Sequence, residues 1–133
     1  MKRLVSLTVA AAAALGAAGA VHAHHSFAVF FDPEKSVKVT GKVTSFRFTN
    51  PHGTVALAVT KPDGKVEEWR AETNAPVILS RRGWTRDSVK PGETITISGW
   101  PARDGRRYLR LMEARDESGK LIGMAPFGRQ EQS

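Results

Sequence analysis

Residues 36–50 read SVKVTGKVTSFRFTN, and the order of apolar and polar residues in this run indicates the fold. Valine or glycine occupies every second position of residues 37–43, which is typical of one face of a β-strand. The apolar positions then change from odd to even numbers, at Phe46 and Phe48. A parity switch beside Gly41 predicts one long, strongly bent strand with a bulge or a glycine kink, as small barrels use to turn a corner.

Four further runs alternate between apolar and polar residues, and turn-forming residues separate them. Residues 61–64, Lys-Pro-Asp-Gly, predict a hairpin turn between the second and third strands, and Asp-Gly at residues 104–105 predicts a turn between the fourth and fifth. A last short strand is predicted at Leu121 and Ile122. The four runs are residues 54–60, 66–72, 94–100 and 107–114.

A short helix is predicted between the third and fourth strands. Asn74 can cap it, Pro76 suits its first turn, and Gly83 supplies a left-handed stop after Arg82. Three strands, a short helix and two further strands are the element order of the OB barrel. We therefore predict a mainly β fold, a small five- to six-stranded OB-like barrel with one short helix between strands 3 and 4. An open meander or a small sandwich would use the same strands.

The beginning of the chain has the features of a cleavable secretory signal. Lys2 and Arg3 precede an apolar run at residues 4–15, and small residues lead to a cleavage position after Ala23. The apolar run is shorter than the roughly 20 residues that span a bilayer, and no later segment approaches that length. Cleavage after Ala20 also fits the pattern. We expect a protein without a membrane span after processing.

Removal of residues 1–23 from the 133-residue chain leaves 110 residues, enough for one domain with a core. The predicted division is a signal peptide at residues 1–23, an OB-like β domain at 24–123 and a flexible tail at 124–133, located in the periplasm or secreted. The chain has no cysteine, which excludes thiolate metal sites. Lys2 and Arg3 leave with the signal, so 18 basic and 13 acidic residues give +5. This modest excess serves solubility, and it favours anionic partners.

Histidines are the candidate metal ligands of the mature chain. Cleavage after Ala23 makes His24 the first residue, and its amino group and imidazole can chelate one metal ion together. Once His22 is removed, the remaining imidazoles are those of His24, His25 and His52. His52 follows an Asn-Pro pair in the turn after the first strand, which lies at a rim of an OB barrel.

Aromatic residues near the new N-terminus could hold it against the barrel. If Phe27, Phe30 and Phe31 pack there, the terminal amine, the first imidazole and a second imidazole could meet, in an arrangement that resembles the histidine brace of exported copper proteins. Such nitrogen ligands suit copper or another late divalent metal. Asp32 or Glu72 could supply an oxygen ligand or fix an imidazole tautomer. Alternatively, the histidines are only a hydrophilic start and a turn residue.

A metal-free binding module is the second hypothesis. Aromatic faces and guanidinium groups together can stack on and neutralise an anionic ligand. In the periplasm that ligand would be a glycan, a lipid headgroup or a protein partner, and nucleic acid is not expected. The tryptophans could instead belong to the core, with the arginines on a solvated face. The candidate surface residues are Trp69, Trp84, Trp100, Tyr108, Arg86 and Arg107.

Catalysis is the function class that the sequence supports least. Asp87 and Ser88 belong to a dense polar run, but a serine nucleophile needs a neighbouring base, and no histidine is close in sequence. The run is better explained as a loop held by side-chain bonds to the backbone. Glu68 and Glu72 share a strand face that excludes Glu67, which does not make a persuasive acid–base pair.

Several motifs resemble those of a family of small exported bacterial proteins that is catalogued as a domain of unknown function. The resemblance covers nearly all of the mature chain, and it implies a periplasmic β domain without an established activity. The motifs are His24-His25-Ser26-Phe27, Thr49-Asn50-Pro51-His52, Trp69 with Glu72, Arg82-Gly83-Trp84-Thr85-Arg86-Asp87-Ser88 and Lys90-Pro91-Gly92-Glu93.

Overall fold

The computed structural model describes residues 26–124, which form a closed five-stranded barrel. The strands follow one another around the barrel in the order β1-β2-β3-β5-β4, with β3 and β5 parallel and every other pair antiparallel. This order confirms the predicted OB-like fold. The elements are α1 (Ser26–Phe30), β1 (Val37–Arg47), β2 (Thr54–Thr60), β3 (Val66–Glu72), α2 (Pro76–Arg81), β4 (Thr94–Pro101) and β5 (Tyr108–Arg115).

Strand β1 closes the barrel because it pairs with a different strand along each edge. Its first half pairs with β4 and its second half with β2, and Lys42 takes part in both ladders. A bulge between Val43 and Ser45 lies where the apolar parity switches, as the sequence predicts. Gly41 is buried on the inner face, and a Cβ atom there would lie 2.6 Å from the carbonyl oxygen of Ala58. The bend therefore needs both the bulge and a residue without a side chain.

The alternating strand residues fill the interior of the barrel, and α2 adds one more side chain to it. Leu79 of α2 has no exposed surface, and Trp84 is 1% exposed with its ring centre 5.8 Å from that of Phe46. The core consists of Val39, Val43, Val55, Leu57, Ala71, Leu79, Trp84, Val89, Ile95, Ile97, Leu109, Leu111 and Ala114.

Two details of the predicted elements are corrected. Ala75, not Asn74, occupies the N-cap position of α2, and no side chain caps the helix; Asn74 is buried instead, and its carbonyl accepts the N–H of Gly53. Gly83 ends the helix with φ of +80°, as predicted. Leu121 forms a single bridge with Arg115 and not a sixth strand.

The predictions for the two ends of the chain lie outside the described residues. These are the signal peptide, its cleavage position, the placement of His24 and His25, and all of the predicted tail except Met124. Within residues 26–124, no helix is long and apolar enough to cross a membrane.

The close packing at Gly41 gives a first prediction. We expect Gly41→Ala to lower the free energy of unfolding by about 2 kcal/mol, because the new methyl group must push β1 and β2 apart. Chemical denaturation of the variant and the wild type measures the difference. Lys42→Ala, at the exposed neighbouring position, serves as the control and should stay within about 0.5 kcal/mol. Equal stability of the two variants would contradict the close contact.

Candidate functional site

Residues 26–32, called the N-terminal strap below, are bound to the hairpin that joins β4 and β5. Phe31 is 2% exposed and forms a β-bridge with Ala102. The backbone N–H of Asp32 donates to the carbonyl of Pro101 at 2.9 Å. Arg103 adds two bonds, from its backbone N–H to the Phe30 carbonyl at 2.9 Å and from Nε to the Ala28 carbonyl at 2.8 Å. The strap is therefore fixed to the barrel by both backbone and side-chain contacts.

Phe27 connects the strap to the turn between β1 and β2. Its ring centre lies 5.1 Å from that of His52 and 6.4 Å from that of Phe31. The guanidinium carbon of Arg110, a residue that is only 5% exposed, lies 4.0 Å from the Phe27 ring centre. A cation at this distance from an aromatic ring is attracted to it. Phe27 thus holds the beginning of the strap beside His52.

The packing predicted for the three phenylalanines is only partly correct. Phe31 is buried and Phe27 is half-buried, but Phe30 is 64% exposed. Phe30 is the last residue of the short helix Ser26–Phe30, and its side chain is largely exposed, whereas Phe31 follows the helix and pairs with Ala102.

His52 is held in the rim turn by its own backbone surroundings and by Glu72. The turn contains a cis Asn50-Pro51 peptide bond. Gly53, which follows His52, bonds through its backbone to the backbone of both Thr73 and Asn74. Nδ1 of His52 lies 2.9 Å from Oε1 of Glu72, at the end of β3. Because a carboxylate only accepts, Nδ1–H is the donor, and Nε2 is left for another partner. The side chain of His52 is 37% exposed.

Tyr108 extends this pair into a chain of three side chains. Its hydroxyl donates to Oε2 of Glu72 at 2.7 Å, so each carboxylate oxygen of Glu72 accepts one bond. Burial raises the pKa of Tyr108 above its ordinary value of 10.0, and the bond to Glu72 and the negative charge there raise it further. Tyr108 therefore stays protonated and keeps donating to Glu72 under ordinary conditions.

The proposed oxygen ligands are placed differently from each other. Glu72 contacts His52, whereas Asp32 is engaged with the backbone N–H of Glu34 at 3.1 Å and with the Lys35 ammonium at 3.4 Å. These contacts, the backbone bond from Glu34 first, lower the pKa of the Asp32 carboxyl. Among the described residues there is no group of three histidine, cysteine, aspartate or glutamate side chains that could hold a metal ion.

The six residues of the predicted anionic-ligand surface do not form one face. The prediction that Trp84 belongs to this surface is wrong, because Trp84 lies in the core and offers no ring face to a ligand. Trp69 is half-buried and packs against the core, Trp100 is half-buried on β4, and Arg86 lies 5.5 Å from the ring centre of Phe48. Two of the six, Arg107 and Tyr108, line the same cleft.

That cleft also contains Arg47 and Arg70, two arginines that the sequence does not mark as candidates. It has a volume of about 910 Å³, and four arginines line it together with strand residues that include Thr44, Ser45 and Thr54. Arg47 and Arg70 come from β1 and β3, where Thr54 pairs with Arg47 and Ala56 with Arg70 on the shared neighbour β2. Only the strand register reveals this proximity. The four arginines are Arg47, Arg70, Arg106 and Arg107.

The loop around Asp87 and Ser88 has the structural role that the sequence favours. The Ser88 hydroxyl accepts the backbone N–H of Thr85 at 2.7 Å, and the Thr85 hydroxyl accepts that of Asp87 at 3.2 Å. The Ser88 backbone N–H also donates to the Thr85 carbonyl at 3.1 Å. These bonds hold the loop between α2 and β4.

Comparison with known proteins agrees with the resemblance noted in the motifs. A family model described as a family of unknown function, DUF6152, matches residues 10–109. Comparison with curated proteins finds no match. The barrel order, and not a likeness to any single structure, establishes the fold.

Three solved structures have some similarity to this chain, two of single-stranded DNA-binding proteins and one of TiaS. The mitochondrial single-stranded DNA-binding protein of S. cerevisiae is 12% identical, with a TM-score of 0.47 over 67% of this chain and 94% of that one. A small single-stranded DNA-binding protein from Streptomyces coelicolor is 17% identical, with a TM-score of 0.43 over 62% and 92%. TiaS, from a complex with a transfer RNA and ATP, is 14% identical, with a TM-score of 0.46 over 65% and 19%.

The raised pKa of Tyr108 can be tested directly, because Tyr108 is the only tyrosine in the chain. Phenolate absorbance should show ionisation well above pH 10, and Glu72→Gln should move the pKa back towards 10.0, since it removes the negative charge. Because the pKa of Tyr108 is higher in the folded than in the unfolded state, the protonated hydroxyl contributes fully to the free energy of unfolding below pH 10. That contribution is lost as the pH rises towards the folded-state pKa. Tyr108→Phe, the control, should lack that alkaline loss. Ionisation near pH 10 in the native protein would contradict both the burial of Tyr108 and its contact with Glu72.

Proposed function

We propose a function from the site itself, because the chain belongs to a family, DUF6152, whose function is unknown. We infer that the protein is exported and that its mature form binds copper or another late divalent metal. The ligands are the amine and imidazole of His24 and the imidazole of His52, with His25 as a further nitrogen donor. The metal is bound for storage, delivery or sensing. The contact between Phe27 and His52 carries this proposal.

Chain length supports the meeting of these ligands. The Phe27 ring centre is 5.1 Å from the His52 ring centre, and His24 precedes Phe27 by three residues. Three residues span at most about 11 Å in any conformation, and a histidine side chain adds several ångströms of reach. This reach is enough for the proposed donors of His24 to meet the His52 imidazole at one metal ion while Phe27 is docked.

The surroundings of His52 support a metal ligand more than a structural histidine. Glu72 accepts a bond from Nδ1, which leaves Nε2 as the ring nitrogen that can bind a metal, and Tyr108 holds Glu72 in turn. Metal-binding histidines commonly have such a carboxylate partner, since it sets both the tautomer and the ring orientation. The mainly nitrogen donor set suits copper, which binds most tightly among the divalent metals of its row.

The proposed metal site forms only after the signal peptide has been cleaved. Residues 26–124 contain no group of three metal-binding side chains, so His52 and Glu72 need partners from the N-terminal histidines. An uncleaved signal would leave His24 without a free amine. Processing after Ala23 would then create the site outside the cytoplasm, where the mature chain first meets the metal ions of that compartment.

Copper titration tests the proposal. We expect the chain that begins at His24 to bind one Cu(II) with submicromolar Kd in calorimetry. His24→Ala and His52→Ala should each weaken binding by at least about tenfold, because each removes a nitrogen ligand. The electron paramagnetic resonance spectrum of the bound Cu(II) should show nitrogen coupling that decreases in His52→Ala.

A chain acetylated at the His24 amino group is the matched control for the terminal amine. It keeps all three imidazoles and should bind as weakly as His24→Ala, because the acetylated nitrogen no longer ligates a metal. Micromolar or weaker binding that is the same in the unmodified chain, His24→Ala and His52→Ala would refute the site.

The arginine-lined cleft favours a second candidate function, the binding of an anionic glycan. Four guanidinium groups and several hydroxyl groups face a space of about 910 Å³, large enough for several sugar units. Three of the arginines already have carboxylate partners, at 2.6 Å for Arg70 with Glu68, 2.6 Å for Arg106 with Asp104 and 2.9 Å for Arg107 with Glu67. These partners reduce the positive charge of the cleft, which places this function second.

Heparin, a sulfated glycan, serves as the probe of the cleft. We expect the mature protein to bind a heparin column, and we expect Arg47→Gln with Arg107→Gln to elute at clearly lower salt, because two cationic contacts are lost. Arg86→Gln with Arg115→Gln removes the same charge elsewhere and is the control. Equal elution of the two double variants would show that net charge alone causes the retention.

A further inference from the structure

A small aromatic pocket separates the N-terminal strap from the end of the barrel. Its volume is about 300 Å³, within the range of small-molecule sites. Phe27, Phe30 and Phe31 of the strap and Tyr108 of β5 provide aromatic walls. Phe31 and Tyr108 meet edge to face, with ring centres 5.3 Å apart. The pocket thus offers aromatic surface from two parts of the chain.

Phe30 is the wall residue that the fold itself does not require. Its side chain is 64% exposed while it lines the pocket, whereas the neighbouring Phe31 is 2% exposed. A phenyl ring left in water gains from any apolar partner that covers it, by an amount proportional to the apolar area removed. Flat aromatic ligands are suited to such walls, since ring pairs prefer offset or edge-to-face contacts.

The polar groups that line the pocket determine which charge a bound ligand can carry. Both oxygens of Glu72 already accept a bond, from His52 and from Tyr108. Arg106 bonds through Nε to Oδ2 of Asp104 at 2.6 Å, an interaction that does not use its two terminal NH₂ groups. The pocket therefore offers the donors and the positive charge of Arg106, and both oxygens of its carboxylate already accept a bond.

We propose that this pocket binds a small aromatic carboxylate. The aromatic ring of the ligand lies among the phenyl groups of the strap, and its carboxylate accepts bonds from the terminal NH₂ groups of Arg106. Guanidinium and carboxylate form charge-assisted bonds that are stronger than neutral ones. This inference goes beyond the proposed metal function and does not require it. His52 also lines the pocket, but the contacts proposed for the ligand are made by the phenyl groups of the strap and by Arg106.

Calorimetry with phenylacetate, in the presence of a chelator, tests the proposal on the mature protein. We expect Kd of about a millimolar or tighter, as for small ligands of this size. 2-Phenylethanol, which keeps the ring and lacks the charge, should bind about tenfold more weakly, and so should phenylacetate to Arg106→Gln. Phe30→Ala should weaken binding severalfold, since it removes an aromatic wall.

Matched substitutions separate the pocket from general effects. Val77→Ala removes another exposed apolar side chain, which is 56% exposed on α2, and Arg86→Gln removes another surface guanidinium. Both should bind phenylacetate as the wild type does. Absence of phenylacetate binding, tighter binding of benzyltrimethylammonium, or unchanged affinity in Phe30→Ala and Arg106→Gln would each overturn the proposal. The copper titration is independent of these outcomes, because the chelator keeps metal out of this experiment.

Discussion

Closure of the barrel depends on the two-sided pairing of β1, and the position of the site follows from it. One strand can pair with β4 along its first half and with β2 along its second half only if it bends sharply between the two halves. The bulge beside Val43 provides the bend, and the missing side chain at Gly41 lets the backbone of β2 approach. Since interiors are close-packed, this approach leaves no room for adjustment.

The same closure brings together residues that are far apart in sequence. The turn after β1 emerges beside the end of β3, which places His52 against Glu72, and the parallel pairing of β3 with β5 places Tyr108 on the other side of that carboxylate. The strap then adds Phe27. The turn after β1, the strands β3 and β5, and the strap thus each contribute one group to a single part of the rim, and the polar contacts there satisfy one another.

Strand positions could be predicted because each strand carries its own alternating pattern. Strands β2 and β3 have the predicted bounds, and the parity switch in β1 lies at the observed bulge. The cap of α2 could not be predicted in the same way. Asn74 is a strong capping residue by type, but burial against the rim turn takes it away from the helix.

The polar members of the candidate site and the packing of Phe27 on the barrel could be predicted from the sequence, but the contacts between these residues could not. His52 and Glu72 stand out by residue type, whereas their contact depends on strand register, and the roles of Phe27 and Arg110 depend on how the strap docks. A five-residue helix such as α1 has too few turns to show a periodic pattern. Arg47 and Arg70 look like ordinary solvent-facing strand residues until β2 is placed between them.

The docking of the strap also orders events during folding. Ala28 and Arg103 are 75 residues apart in sequence, and the other backbone partners of the strap belong to the same late hairpin. Contacts over such separations form only after the intervening loop is closed, which is slow compared with local structure. The beginning of the domain, although it is early in the chain, therefore reaches its final position only when the last two strands have joined.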